Sequence, residues 1–216
     1  MTTNFILGSA TALLITGAAS ADFCGFEGTV STNDYGNAVV RAYALFESPE
    51  SVVLNVFEAN ATDNCYIHSD AQIGAGGTWD PTASLDIPGF ADPTNDSYVT
   101  IGSDNIGPTA GIGFDGNTPF ALGCYFPVDA GWYANPPSPG GQSEDNGQGK
   151  FAVLVAQFVL DGVFEQDDVF TFSASIGYSQ GVGTEVMFSD GSFTIPTPGA
   201  LALLGLGGLA TRRRRG

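Results

Sequence analysis

The sequence predicts an all-β fold, an antiparallel β-sandwich of jelly-roll or immunoglobulin-like type. Short runs rich in Val, Phe, Tyr, Ile and Thr alternate with Gly, Asn, Asp and Pro through the middle of the 216-residue chain, a pattern typical of strands joined by tight turns. No helical stripe of useful length lies between these runs. Many short strands without helices favour a sandwich, with a barrel as the alternative.

The clearest predicted strand covers residues 168–178. Its alternate residues Phe170, Phe172, Ala174, Ile176 and Tyr178 fall on one face, so a period of two places them in a core. Residues 151–160 are apolar on both faces except at Gln157, which predicts a central strand covered on both sides. The other predicted strands are residues 38–46, 51–58, 65–68, 97–102, 120–126, 184–188 and 192–195.

Turns and one long loop complete the predicted fold. Asp161-Gly162 follows the central strand and predicts a reversal, and Asp190-Gly191 is predicted to link the last two strands. Residues 130–150, rich in Gly, Pro and Asn, are predicted to form a long loop.

The N-terminal segment, residues 1–21, is predicted to be a secretory signal peptide. Residues 5–19 are almost continuously apolar, and Ala19 and Ala21 provide the small side chains that a signal peptidase requires before Asp22. The segment directs the chain out of the cytoplasm.

The C-terminal segment, residues 195–216, combines a proline motif, an apolar run and a basic cluster. Pro196-Thr197-Pro198 precedes the uncharged residues 199–211, which as a helix span roughly 20 Å, less than a bilayer core requires. Arg212, Arg213, Arg214 and Arg215 resist translocation, so the rest of the chain is expected on the far side of the membrane. A buried apolar helix or a plain single-span anchor is the alternative.

These C-terminal residues resemble the tail of PEP-CTERM bacterial surface proteins, with Thr197 in place of the family's glutamate. The resemblance implies recognition by an exosortase-type protease, transient insertion of the tail in the inner membrane of a Gram-negative-type bacterium, and release or attachment at the cell surface. Residues 96–102, Gly131-Trp132, residues 135–137 and residues 153–157 also look like uncharacterised secreted proteins that carry the same tail. That likeness implies a common sandwich and no particular activity.

The predicted mature domain, residues 22–194, is strongly acidic. Between the two predicted processing points lie all 23 Asp and Glu but only two basic residues, Arg41 and Lys150, a formal net charge of −21. Such a surface repels nucleic acid and anionic lipid and attracts divalent cations.

Three cysteines, Cys24, Cys65 and Cys124, allow one internal disulfide in an oxidising compartment. Cys65 and Cys124 each precede a tyrosine in a strand-like run, which favours their pairing. Other pairings, or three reduced cysteines, are the alternatives.

Two kinds of binding site are considered. Trp79, Trp132 and Tyr133 are flanked by polar loops and would stack on sugar rings, although core positions would explain the same residues. Acidic loops at Asp104, Asp115 and Asp145 offer oxygen ligands for a structural calcium ion, although turn formation would also explain them. No other cofactor is expected.

No catalytic constellation stands out. His68 is the only histidine and no Gly-x-Ser-x-Gly motif accompanies it, while the adjacent pair Asp167-Asp168 would splay to opposite sides of a strand. We therefore expect a noncatalytic secreted protein with a structural or adhesive role in the cell surface or matrix. A carbohydrate-binding module or polysaccharide hydrolase and calcium-dependent assembly are the alternatives.

Overall fold

The fold consists of two antiparallel β-sheets. A computed structural model describes residues 22–62, 65–67, 93–102, 109–112, 125–134, 141–162, 169–181 and 184–196. These ranges contain no α-helix, no helix able to span a bilayer, and one 3₁₀ turn at Pro93–Asn95. The predicted signal peptide and C-terminal apolar helix lie outside the described residues.

Within the described residues, ten strands build the two sheets. They are β1 (Phe23–Thr32), β2 (Ala38–Phe46), β3 (Ser51–Ala61), β4 (Tyr98–Val99), β5 (Thr109–Ile112), β6 (Ala130–Ala134), β7 (Glu144–Asp145), β8 (Phe151–Leu160), β9 (Val169–Gln180) and β10 (Val186–Pro196). The first sheet has the order β1-β2-β8-β4, with β7 also paired to β8. The second sheet has the order β10-β9-β3-β6-β5.

The core lies between the two sheets and is rich in aromatic side chains. Phe26 of β1 packs edge-on against Phe172 of β9, with ring centroids 5.5 Å apart. Phe158 of β8 packs against Phe170 of β9, with centroids 5.1 Å apart. Aromatic rings bury large apolar areas, so these contacts hold the sheets together.

The two strands with the strongest sequence patterns form as predicted. All five of the alternate apolar residues of β9, from Phe170 to Tyr178, are buried. The central strand β8 is buried at every position from Val153 to Val159, including Gln157. The Gln157 side chain satisfies its polar atoms by accepting a hydrogen bond from Arg41 Nε and donating one to the Asp96 carbonyl, each 2.8 Å long.

The predicted turn at Asp190-Gly191 is wrong. Both residues lie inside the continuous strand β10, where they pair with Ser175 and Ala174 of β9. Gly191 lies close to the other sheet and not in a turn, because a Cβ atom there would lie 3.1 Å from Cδ2 of Phe26 on β1. The two strands predicted on either side of this point are therefore one.

The predicted loop at residues 130–150 is also partly wrong. It contains β6, which pairs with both β3 and β5, and the short strand β7. The sequence did not predict β1 or β5 either.

Several shorter predictions are modified. Tyr66 makes only an isolated bridge to Leu160, and β4 keeps two of the residues predicted between 97 and 102. The predicted strand at residues 120–126 lies outside the described residues up to Cys124, and Tyr125 and Phe126 are not in a strand. At the predicted reversal Asp161-Gly162, Gly162 has a φ of 93°, as a tight change of direction requires. The strands on either side, β8 and β9, lie in different sheets and are not paired with each other.

The chain enters and leaves the domain at opposite ends. At the start of β1, Phe23 contacts Phe46 and Tyr178, whereas at the end of β10 Pro196 pairs with Val169, the first residue of β9. Tyr178 and Val169 lie nine residues apart along β9, and strands rise about 3.3 Å per residue, so these ends lie roughly 30 Å apart.

Candidate ligand-binding groove

Trp132 is a core residue, which overturns its interpretation as a sugar-stacking side chain. Only 1% of its surface is exposed, and its indole Nε1 donates a hydrogen bond to the Thr100 carbonyl, 2.9 Å away. The ring also packs edge-on against Phe126. A tryptophan with both faces covered has no surface left for a ligand.

Its neighbour Tyr133 points the other way. It is 45% exposed and pairs with Asn55 on the second sheet, because successive side chains of a strand alternate between faces. Trp79, the third residue predicted to stack on sugars, lies outside the described residues. The predicted platform of Trp132 with Tyr133 is therefore not formed.

Of the predicted calcium loops, only Asp145 lies in the described residues. Its Oδ1 accepts a hydrogen bond from the Gly147 N–H at 2.8 Å, and Asn146 Oδ1 accepts one from Gln148 N–H at 2.9 Å. These are the local bonds that make Asp and Asn favourable in turns. The described ranges contain no group of three metal-ligating side chains. Asp104 and Asp115 lie outside them, so calcium binding stays a prediction.

Of the two cysteines in the described residues, one is disulfide-bonded and one is free. Cys65 is part of a disulfide, and Cys24 is an exposed free thiol. Cys124, the remaining cysteine in the sequence and the predicted partner of Cys65, lies outside the described residues. The thiol of Cys24 is 3.3 Å from the Lys150 ammonium, which also lies 3.0 Å from Glu47 Oε1. These two contacts raise the pKa of Lys150.

Asp22, the residue after the predicted signal-peptide cleavage site, is buried. Its carboxylate accepts hydrogen bonds from the Ser48 N–H at 2.8 Å and from the Ser51 hydroxyl. Burial raises the pKa of Asp22, and the hydrogen bond from Ser48 opposes that rise. The residue predicted to follow the cleavage site is therefore packed into the domain.

At the other end, β10 reaches Pro196, the first proline of the predicted sorting motif. The other predicted processing residues lie outside the described part, namely Ala19, Ala21, Thr197, Pro198, Arg212, Arg213, Arg214 and Arg215. The same holds for His68 and for Asp167-Asp168.

A groove with a volume of about 310 Å³ lies on the outer face of the first sheet, beyond the core. Its floor and one wall come from β1, β2 and β8, which contribute Glu27, Tyr43, Leu45, Ala152 and Leu154. The other wall is the segment from residue 142 to residue 148, which contributes Gln142, Glu144, Asp145, Asn146 and Gln148.

Strand register explains how these distant residues meet. Glu27 pairs with Tyr43, and Tyr43 pairs with Leu154, so the three side chains form one row across the sheet. In the next row on the same face, Leu45 pairs with Ala152, which pairs with Glu144. Directly paired side chains on one face have Cβ atoms about 5 Å apart, so each row is continuous. The short side chain of Ala152 leaves the floor open.

The groove has an uncompensated negative charge. Residues 22–196 contain only Arg41 and Lys150 as basic residues. Arg41 is bound to Gln157 and Lys150 to Glu47, and neither side chain lines the groove. Glu27, Glu144 and Asp145 therefore line the groove without a basic side chain of residues 22–196 beside them.

Sequence reasoning did not find this groove. One signal was present: in β2, the larger side chains Arg41, Tyr43 and Leu45 alternate with core residues, which assigns them to the outer face. The sequence pattern does not show which strands lie beside β2, or that the 142–148 segment borders the same face. Both depend on long-range strand pairing, which no local pattern encodes.

Comparisons with family models, with curated proteins and with solved structures gave no match. The class that the fold defines is an all-β protein of two antiparallel sheets with an acidic groove on one outer face.

Proposed function

We propose that this chain is an exported, exosortase-sorted protein of the cell surface or extracellular matrix, with a noncatalytic structural or adhesive role. Its domain is a β-sandwich of jelly-roll or immunoglobulin-like type. The observation that carries the proposal is how two described residues lie relative to the predicted processing points. The buried residue Asp22 follows the predicted signal cleavage site, and β10 ends at the first proline of the sorting motif.

The position of the groove also supports an adhesive role. Its two rows of side chains lie in the half of the first sheet that contains the start of β1 and the end of β2. The chain leaves β10 at the opposite end of the domain. A protein attached through its C-terminal side would therefore present the groove away from the attachment point.

Mass spectrometry of the protein recovered from intact bacterial cells tests this proposal. We expect an N terminus at Asp22 and the loss of the arginine cluster. Replacing Arg212 to Arg215 by asparagine should leave the tail unprocessed, because the basic cluster no longer sets its orientation. A cytosolic protein with both ends intact would contradict the proposal.

A carbohydrate-binding module or hydrolase is the second candidate, and the groove favours it. The groove volume of about 310 Å³ lies at the lower end of the range for small-molecule sites. Polysaccharide turnover abolished by Glu27→Gln or Glu144→Gln would establish a hydrolase. Binding without turnover would establish a module. Calcium-dependent assembly is tested separately, by a rise in the melting temperature on addition of calcium.

A further inference from the structure

We infer that the acidic groove binds an oligosaccharide that carries free amino groups, such as a deacetylated hexosamine chain. This deepens the adhesive role proposed above and rests on it for its biological setting. The groove and its charge belong to the folded domain, so binding is measured independently of export.

The first step of the argument is charge. Glu27, Glu144 and Asp145 line the groove, while the two basic residues of residues 22–196 are bound elsewhere. A cleft with charges of one sign and low-dielectric walls attracts ligands of the opposite sign. Uronic-acid, sulfated and phosphorylated polymers are repelled by the same field.

The second step is the separation of the carboxylates. Glu27 is on β1 and Glu144 is on β7, with β2 and β8 between them. Three strand spacings of about 4.8 Å place their backbones roughly 14 Å apart. Backbones this far apart place the two carboxylates at separate points of the groove and not in a compact calcium site, whose ligands lie about 2.4 Å from the ion. An extended ligand with several positive groups fits that separation.

The third step is the surface between the carboxylates. Tyr43 lies directly between Glu27 and Leu154, with Leu45 beside it on the same face, so the floor combines an aromatic ring with aliphatic side chains. Such a floor suits the apolar face of a pyranose ring. On the wall, the side-chain amide of Gln148 combines donors with an acceptor, which suits hydroxyl groups, whereas Gln142 Nε2 and Asn146 Oδ1 are bonded within the domain.

Calorimetric titration of the full processed protein tests the inference. The probes are glucosamine hexamer, its N-acetylated counterpart, cellohexaose and hexalysine. We expect the glucosamine hexamer to bind most tightly and its affinity to fall as sodium chloride is raised. Glu27→Gln should weaken binding about tenfold, because it removes a charged hydrogen bond, and Tyr43→Ala should weaken it comparably.

Glu185→Gln is the matched control, because it makes the same charge change at an exposed residue outside the groove. It should leave the affinity unchanged, and unchanged circular dichroism should show that all variants are folded. Three results would overturn the inference: no binding of the glucosamine hexamer, equal binding of its acetylated counterpart, or equal binding of hexalysine. None of these results would bear on where the protein is processed.

Discussion

The guanidinium of Arg41 donates a hydrogen bond from Nε to Oε1 of Gln157, 2.8 Å away, across the pairing of β2 with β8. Gln157 is fully buried, and its amide Nε2 donates to the Asp96 carbonyl. One side chain thus connects the only arginine of the folded domain to the segment before β4.

We expect Gln157→Leu to lower the free energy of unfolding by about 2 kcal/mol, since it leaves the Asp96 carbonyl without its donor and Arg41 without its acceptor. Denaturant unfolding measures the change. Gln148→Leu, the same substitution on an exposed turn, is the control and should change stability by less than about 0.5 kcal/mol. Equal effects of the two substitutions would contradict the burial argument.

Trp132→Phe should lower the unfolding free energy by about 1–3 kcal/mol, because the buried Thr100 carbonyl loses its indole donor. Tyr133→Phe changes an exposed neighbour and should have little effect. The comparison uses chemical denaturation of both variants. A Trp132→Phe protein as stable as the unaltered chain would show that this hydrogen bond contributes little.

Gly28→Ala should destabilise the domain by about 1–3 kcal/mol, because the added Cβ would overlap with the ring of Phe193 where β1 packs on β10. Phe193 is held between Phe170 and Phe172, so its ring cannot turn away freely. Combining Gly28→Ala with Phe193→Leu should recover part of the loss. If the double variant lost as much unfolding free energy as the two single variants together, this contact would be excluded as the cause.

Burial raises the pKa of Tyr98 above its ordinary value of 10.0, an effect that the nearby positive charge of Arg41 opposes. Between pH 10 and the higher folded pKa, the native state binds more protons than the unfolded state, so the free energy of unfolding falls as the pH rises. Below pH 10 this contribution is fully present. We therefore expect the unaltered protein to lose more stability above pH 10 than Tyr98→Phe does, with tyrosinate absorbance reporting the ionisation. If the unfolding free energies of the unaltered protein and of Tyr98→Phe fell in parallel above pH 10, the raised pKa of Tyr98 would be contradicted.

A thiol-alkylating reagent should modify the native protein at Cys24 alone, since Cys24 is an exposed free thiol and Cys65 is bonded. After reduction and unfolding, all three cysteines should react. Peptide mapping of the unreduced protein should find Cys65 linked to Cys124, as the sequence predicts. Cys24 linked within the same chain would overturn both assignments.

The strands that the sequence predicts best are those whose surroundings are uniform along their length. β2 and β8 form with the predicted bounds, because an alternating strand and a fully apolar strand each leave a plain pattern. The split of β10 has a different origin. Asp190-Gly191 has the composition of a turn, but Gly191 allows Phe26 to approach from the other sheet, and that contact lies far away in the sequence.

The candidate site was harder to predict for a related reason. The sequence analysis selected Trp132, a rare and large residue. Rarity alone does not distinguish a ligand-binding residue from a core residue. Tyr43 gave no comparable signal, because its importance depends on Glu27, Leu154 and Glu144 being placed beside it by three separate strand pairings.

The separation of the chain ends affects how the domain would respond to tension. β1 and β10 run in the same direction against each other, and the polypeptide enters at the start of one and departs at the finish of the other. A pull between those points acts lengthwise along both terminal strands. Many hydrogen bonds would then have to shear together instead of unzipping one by one.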